Sequence, residues 1–460
     1  MRFTSAALSA LSASPFLLSG AGAIELDVND PASIKKAAGI AAANMRVIYT
    51  GDRPGDVAGN LPDPYYWWEA GAMFGAFIDY WYYTGDDQYN NITIQALQHQ
   101  SAYADGAAAF EPKNQSNSLG NDDQAFWAMA SMSAAENKLP DLPDEGPLKG
   151  PSWLSLTQAV FNRQADRWNK TGTCGGGLNW QIYEYNKGFT YRNTISNGCL
   201  FNMAARLYKY TENKTYSDWA SKTWDWERSI DLIDKDFHFY DGADEKTNCT
   251  KIDRVQWTYN LGVHLSGAAA MWNVTGDDIW KTRITSMIKT MNEVFYKDNI
   301  MYEVACELNG KCNTDQRSFK AYLARWIGYT AISAPWTKDL MWKNMIASAQ
   351  AAAKVCTAGS KGSSCPLRWW QGTQPDDTFG VGEQMAAMEI FQNLLIANVS
   401  GPVTESKGGT SKSDPSAGGE PEQPPIIFSE ITNGDRAGAG FLTTLVIVGI
   451  VAGAWWMVAA

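Results

Sequence analysis

The feature that most limits what this chain can fold into is a turn that recurs along it. Tyr83-Thr84-Gly85-Asp86-Asp87-Gln88-Tyr89 is echoed by Val274-Thr275-Gly276-Asp277-Asp278-Ile279-Trp280 and, more distantly, by Tyr210-Thr211-Glu212-Asn213-Lys214-Thr215-Tyr216. Each copy follows one helical, aromatic-rich segment and precedes another. Gly ends the first helix, Asp or Thr starts the second, and an aromatic residue falls in the next turn. The repeated unit is therefore a helix-turn-helix hairpin. One hairpin cannot bury its apolar face alone, so several must stack or close into a ring.

Six hairpins are expected. They run from Tyr66 to Ser101, Asp122 to Arg167, Thr194 to Asp234, Val255 to Tyr296 and Phe319 to Val355, and the sixth pairs Gly380–Asn398 with the N-terminal helix Ala32–Tyr49. Clear alternating strands are hard to find. The economical arrangement is an all-α (α/α)6 barrel; a long α-solenoid is the rival. Pairing of the first and last helices favours the barrel.

The two ends of the chain read as processing signals. Residues 1–23 combine Met1-Arg2, an apolar run and Ala21-Gly22-Ala23, the order of a secretory signal peptide. Residues 400–432 are rich in Gly, Ser and Pro and read as a flexible stalk. Residues 433–460 begin with Asn433-Gly434-Asp435 and end in an uncharged run from Phe441, the order of a glycosylphosphatidylinositol (GPI) signal whose tail is removed. A membrane span is the rival reading, and such a span usually carries basic residues on its cytoplasmic side. The folded body is then 24–399, and the expected location is the outer face of the plasma membrane and the cell wall.

Sequons starting at Asn91, Asn114, Asn169, Asn213, Asn248, Asn273 and Asn398 agree with export. Seven cysteines in an oxidising compartment should mostly pair. Cys306 with Cys312 and Cys356 with Cys365 close short loops, Cys174 pairs with Cys249, and Cys199 is left as a buried thiol. The chain has no C-x-x-C pair, so a zinc site is not expected; no cofactor is expected. The net charge of −11 argues against nucleic acid as a partner.

Most of the twenty Trp and twenty Tyr belong in the core. The loops entering the inner helices carry a different set: Tyr65-Tyr66-Trp67-Trp68, Gly120-Asn121-Asp122-Asp123, Leu178-Asn179-Trp180, Asn193 to Gly198, Tyr240-Asp241-Gly242 and Trp257 to Asn260. If the hairpins wind in one sense, all of these lie on one rim. They would line a cleft suited to a neutral polyhydroxylated ligand.

Asp122 and Asp123 stand out among the Asp-Asp pairs by position. Those at 86 and 277 sit in hairpin turns, and Asp376-Asp377 lies in a loop rich in Gly and Pro. Capping a helix explains any such dipeptide taken alone. Only 122–123 opens an inner helix on the cleft rim. Side chains diverging from neighbouring Cα atoms about 3.8 Å apart reach the roughly 5–5.5 Å carboxyl separation of retaining glycosidases; a wider spacing would suit inversion. Mutual repulsion would keep one of the two protonated.

Leu119-Gly120-Asn121-Asp122-Asp123-Gln124, Gly175-Gly176-Gly177-Leu178-Asn179-Trp180 and Ile195-Ser196-Asn197-Gly198 resemble the motifs of glycoside hydrolase family 76, the endo-α-1,6-mannanases. The terminal signals make the chain most similar to the fungal cell-wall branch, named for defective filamentous growth and defective cell wall. The resemblance implies an (α/α)6 barrel and a retaining mechanism, with Asp122 as nucleophile and Asp123 as acid/base. It also implies transglycosylation, in which an α-mannan or GPI-anchor glycan is the donor and β-glucan the acceptor.

Trp68, Trp180, Trp257 and Tyr259 are candidates for stacking on sugar rings, and Asn121, Asn197, Asp241 and Asn260 for binding hydroxyls; core packing and loop capping compete at each. Lys320 and Arg325 would meet a glycan phosphate or, more simply, form ion pairs. Two rivals to a transferase stand: plain hydrolysis of α-1,6-mannan, and a wall-glycan-binding protein without turnover.

Overall fold

The computed structural model describes residues 23–103, 109–372, 376–418 and 432–459. The chain divides into two units, 1–419 and 420–460. The signal-peptide reading of 1–23 falls almost wholly outside the described residues.

The first unit is mostly helical. Six helices are buried nearly all round: α2 (Trp67–Thr84), α4 (Asn121–Glu136), α6 (Thr194–Thr211), α8 (Thr258–Thr275), α10 (Phe319–Ser333) and α12 (Val381–Gln392). Each is partnered by a helix with more exposed surface: α3 (Asn90–Gln100), α5 (Trp153–Arg167), α7 (Lys214–Ser229), α9 (Asp278–Val294), α11 (Lys338–Val355) and, for α12, the N-terminal α1 (Pro31–Arg46). On α9 the buried residues Trp280, Ile284, Met287, Ile288 and Met291 form one stripe at helical spacing, as a helix facing a core on one side requires. The six expected hairpins are all present.

Among the buried helices, α2 packs on α4, α4 on α6, α6 on α8, α8 on α10, α10 on α12 and α12 on α2. Small residues permit the close approach. A Cβ on Gly71 would lie 2.7 Å from the Trp127 indole, and one on Gly262 would lie 2.8 Å from the Trp326 ring. The recurring turns work by the expected chemistry. Gly85 (φ 77°) and Gly276 (φ 71°) end α2 and α8 in the left-handed conformation, and Glu212 (φ 58°) does the same after α6 at a steric cost.

Two expectations need correction. The unit is not purely helical. Strands β1 (Tyr191–Asn193), β2 (Tyr240–Asp244) and β3 (Ile252–Gln256) form an antiparallel sheet in that order, with Asn193 opposite Gly242, and β4 (Tyr296–Lys297) pairs with β5 (Ile300–Met301). These strands are short, and β2 carries an irregular register at Tyr240–Gly242, so no alternating pattern marks them.

The first half of the segment read as a stalk is also seated on the body. Val403 N donates to Glu136 O (2.9 Å), Glu405 N to Tyr210 O (2.9 Å) and Asp414 N to Gln158 Oε1 (2.7 Å), while Asn162 Nδ2 donates to Ala417 O (2.9 Å). Gly and Ser offer little to a core, but their backbone is satisfied here by hydrogen bonds to α4, α5 and α6. The remainder of the expected stalk, 419–431, lies outside the described residues.

Disulfides join Cys174 to Cys249, Cys306 to Cys312 and Cys356 to Cys365, and Cys199 is a buried free thiol. Bonds of this kind form in oxidising compartments. The second unit is described as one helix, α13 (Asn433–Ala459), 27 residues long and apolar enough to cross a membrane, with no residue of that stretch buried.

Candidate active site

The N-termini of five buried helices, with the loops that lead into them, meet around one cavity of about 290 Å³. Its lining includes Trp68 of α2, Asp122, Asp123 and Phe126 of α4, Tyr191 and Asn193 of β1, Asp241 of β2, Tyr259 of α8, and Phe319 of α10. Trp180, Trp257, Asn313, Asp315 and Gln316 complete it from the loops. Among the described residues the lining contains no Lys, Arg or His. A second cavity of about 360 Å³ adjoins it and shares Trp68, Asp123, Trp180 and Asp315. The two are lobes of one cleft, and Asp122 borders only the first.

Asp122 and Asp123 are held from two directions. Gly120 precedes α4 in an extended conformation (φ −92°, ψ 158°), and its N–H donates to Asp123 Oδ2 (2.8 Å). Asp123 N–H donates to Asp122 Oδ1 (2.9 Å), and Asn193 Nδ2, from the end of β1, donates to Asp122 Oδ2 (2.8 Å). The loop 178–182 pins this start of α4, because Asn121 N donates to Trp180 O (2.8 Å) and Ile182 N to Leu119 O (3.1 Å). Gly120 has no room for a side chain: a Cβ there would lie 2.3 Å from Asp122 Oδ1.

The two carboxyls differ in electrostatics. Burial pushes Asp122 up to about 6, against the opposing pull of the hydrogen bonds from Asn193 and the backbone. Burial also raises Asp123 well above the ordinary carboxylate range; the Asp122 charge adds to this, and Asp315 contributes in the same direction. No cation forms an ion pair with either aspartate among the described residues. The arrangement favours Asp122 ionised and Asp123 protonated near neutral pH, since two adjacent buried carboxyls resist carrying two charges.

Around the pair stands an aromatic frame. The Trp68 ring rests on Phe126 (4.9 Å between centroids), and its Nε1 donates to Asp315 Oδ1 (3.1 Å). Tyr259 stacks on Phe319 at 3.9 Å, and Trp257 meets the same ring edge-on at 5.4 Å. Trp180, 36% exposed, lies against Gly188, where a Cβ would come within 2.5 Å of its ring. Asp241 accepts from Tyr191 Oη (2.6 Å), and burial raises its carboxyl. Flat apolar faces with acceptors at their edges match the alternating C–H and O–H surfaces of a sugar.

Of the residues singled out in the sequence, Asp122, Asp123, Trp68, Trp180, Asp241, Trp257 and Tyr259 stand in this cleft. Three asparagines do not line it. Asn121 is buried, with Nδ2 on Asn179 O (2.8 Å) and Oδ1 accepting from Arg167 (3.1 Å). Asn197 exchanges hydrogen bonds with the Leu178 backbone (2.8 and 3.1 Å). Asn260 is fully buried; its main-chain carbonyl engages His264 Nδ1 (2.7 Å), and its side-chain amide has no hydrogen-bond partner among the described residues. The Asn121 and Asn197 amides brace the walls, because a loop turning into a buried helix has backbone groups that need partners.

Lys320 pairs with Glu307 (2.8 Å), and Arg325 with Glu389 and Asp79 (3.0 and 2.9 Å), so both cations serve the ion-pair reading. The sequence reading placed Asn193 on the rim without singling it out, and it missed Tyr191, Asn313, Asp315, Gln316, Phe126 and Phe319. Asn193 had a signal, an amide one residue ahead of a helix on the same rim. Asp315 had another, a carboxylate just after the tight Cys306–Cys312 loop and just before an inner helix.

Comparison with known proteins places this architecture. Residues 33–406 match the sequence profile described as Glycosyl hydrolase family 76. The chain is 44% identical over 437 residues to mannan endo-1,6-alpha-mannosidase DCW1 of Candida glabrata, covering 95% of this chain and 96% of that one. It is 40% identical over 440 residues to mannan endo-1,6-alpha-mannosidase DFG5 of Saccharomyces cerevisiae, covering 95% and 94%. The crystal structure of Dfg5 from Chaetomium thermophilum in complex with glucosamine superposes with a TM-score of 0.81 at 40% identity, over 85% of this chain and 97% of that one.

A more distant fold match is the α-1,6-mannanase GH76A of Salegentibacter sp. HEL1_6, an inactive variant with two consecutive aspartates changed to asparagine, in complex with α-1,6-mannotriose. Its TM-score is 0.62 at 16% identity, over 79% of this chain and 99% of that one. This chain is a glycoside hydrolase of family 76, homologous over nearly its whole length to the fungal mannan endo-1,6-alpha-mannosidases.

Proposed function

We propose that the protein is a retaining enzyme that cleaves α-1,6-mannosidic bonds and passes the mannosyl group to a sugar hydroxyl. The observation that carries this reading is the unequal pair: Asp122 held by two donors and able to ionise, Asp123 beside it without a cation and inclined to keep its proton. In the first step Asp123 gives its proton to the glycosidic oxygen while an Asp122 oxygen attacks C1, forming a mannosyl ester and releasing the alcohol. In the second, the Asp123 carboxylate takes a proton from an incoming hydroxyl, which attacks C1 and frees Asp122. The inactive double variant of the bacterial relative supports placing the chemistry on adjacent aspartates.

The two-lobed cleft supports transfer. Asp123 borders both lobes and Asp122 only the first, so the glycone belongs in the first. The leaving portion, and then the acceptor, belong in the second, beside Tyr66, Gln115, Asn117 and Trp180. An acceptor seated there displaces water from the side on which attack occurs.

The wider setting belongs to the same proposal. The closed run of contacts from α2 round to α12 and back supports an (α/α)6 barrel. Three disulfides and the exposed apolar α13 support a secreted protein carried on a GPI anchor, whose attachment signal begins at Asn433. The donor is then the mannose core of an anchor glycan on another surface protein, and the acceptor is wall β-glucan.

The test is to incubate the enzyme with an α-1,6-mannooligosaccharide, with and without a β-glucan oligosaccharide, and follow products by NMR and mass spectrometry. The expected result is a first-formed α-anomer and a mixed mannosyl-glucan product. A first-formed β-anomer would overturn retention, and shortened mannosides alone would make the enzyme a hydrolase.

A further inference from the structure

Four residues border both lobes of the cleft: Trp68, Asp123, Trp180 and Asp315. Asp315 is the second carboxylate at the seam, beside Asp123, and neither step above uses it. Its position is fixed from several sides. Its Oδ1 accepts from Trp68 Nε1 (3.1 Å), and its carbonyl accepts from Ser318 N (2.9 Å) and Ser318 Oγ (2.6 Å). The flanking Asn313 and Gln316 hold each other through two side-chain-to-backbone bonds (3.0 and 2.9 Å), and the Cys306–Cys312 disulfide closes the loop just before them.

Burial raises the Asp315 carboxyl while the hydrogen bond from Trp68 favours its ionised form, and no cation offsets the charge it carries when ionised. The nearest basic residue in sequence, Arg317, faces Glu383 at 3.9 Å. No ion pair reaches Asp315 among the described residues, and none of their hydrogen bonds uses its Oδ2. A carboxylate held this firmly and left without a cation acts on what lies next to it, because charges interact more strongly in a cleft of low dielectric than in water.

We propose that Asp315 is a positioning residue for the proton donor. Its fixed negative charge at the seam of the two lobes opposes a second charge on Asp123, so that Asp123 holds its proton until a glycosidic oxygen arrives and regains it after each transfer. The inference rests on Asp123 being that donor. The other titratable groups about Asp123 are Asp122 of its own helix, Asp241 and Tyr191 of the sheet, Tyr259 of α8, Tyr66 and Lys187 of the second lobe, and the buried Glu69 that follows Trp68 in the chain. Lys187 is the one basic side chain among them and lies exposed on the rim. The upward push on Asp123 comes first from burial and then from Asp122, with Asp315 adding to it.

The readout is the alkaline limb of kcat/KM against pH on an α-1,6-mannoside, where activity falls as the donor loses its proton. Asp315→Asn and Asp315→Ser both remove the charge and should move this limb to lower pH by about 0.5–1 unit, the size expected of one nearby charge in a partly buried site. Asp315→Glu restores the charge and should restore the limb. A dinitrophenyl mannoside, whose leaving group needs no proton, should show no such displacement. If the neutral variants lose activity equally at every pH with the limb unmoved, Asp315 merely props Trp68 and the inference is wrong. If Asp123→Asn itself keeps near wild-type turnover and its alkaline limb, the donor assignment fails first, and the inference falls with it.

Discussion

The two ends of the buried helices treat acidic side chains in opposite ways. At the N-terminal ends stand Asp122, Asp123, Asp241, Asp315 and Glu69, and no cation pairs with any of them among the described residues. At the C-terminal ends stand Glu136, Asp79 and Glu389, threaded by two arginines. Arg206 Nη2 and Nε both reach Glu136 Oε2 (2.7 and 3.1 Å), and Arg325 bridges Asp79 and Glu389 (2.9 and 3.0 Å). Both ends bury acids, completely at Glu69 and Glu389 and only in part at Asp123, Asp241 and Asp315. The sharper difference is the supply of positive charge. One guanidinium between two buried carboxyls leaves even Glu389 pushed up to about 8, but the group is fixed and bonded.

The contrast separates structural acids from chemical ones. A buried carboxylate bonded to arginine holds helices together and is spent on those contacts, away from the cleft. An acid left with burial and like charge keeps its proton, or strains to lose it, and can therefore work on a substrate. The helix dipoles add to the division, since the N-termini pointing at the cleft soften the cost of negative charge there.

The comparison is broken most severely by removing a cation from the paired end. Arg206→Ala strands Glu136 in the interior and should cost about 3–5 kcal/mol of folding stability, measured by denaturant unfolding. Turnover per folded molecule should stay within about twofold, because the change is remote from the cleft.

At the other end a substitution should do the reverse. Gly120→Ala drives a methyl group against Asp122 Oδ1 and displaces the pair. A loss of about 10²-fold in kcat is expected, the scale of an ångström-sized misplacement, with little change in melting temperature.

The cost of the unpaired end should appear in the pH dependence of stability. Asp122 is raised to about 6 in the folded state, above the value of about 3.9 in an unfolded chain. Between those values the folded state binds the extra proton, so this group's contribution to stability declines as pH rises through that window and stays lost above it. Asp122→Asn should therefore gain about 2 kcal/mol over the wild type at pH 7 relative to pH 4, read from unfolding curves at both. The smallest effect lies in the hairpin turns. Glu212 occupies the left-handed position that Gly holds at 85 and 276, and Glu212→Gly should be stabilising by about 0.5–1 kcal/mol.

How far the sequence speaks follows the same physics. Local rules that leave a fixed residue type were legible: Gly at a left-handed cap, cysteines spaced to close short loops, adjacent aspartates ahead of an aromatic-rich helix. The asparagines show where this stops. Asn121, Asn197 and Asn260 have the same chemistry as Asn193, but they sit outside the lining while Asn193 reaches Asp122, and only the winding of the loops decides which does which.

Asp315 was hidden for a related reason, being one acid in a loop whose meaning depends on Trp68, 247 residues earlier. The sheet at the rim was missed because its strands are three to five residues long. The seated segment 400–418 was missed because composition reports what a stretch can bury, and this one is held mainly by its backbone.

The most direct test of the central claim is turnover of Asp122→Asn and Asp123→Asn on an α-1,6-mannoside, measured beside their melting temperatures and their binding of an unhydrolysed oligosaccharide. The account predicts that each loses at least about 10³-fold in kcat, binds sugar as before, and melts no lower than the wild type. Near wild-type turnover together with a stability loss of about 1 kcal/mol, the signature of a removed helix cap, would contradict it.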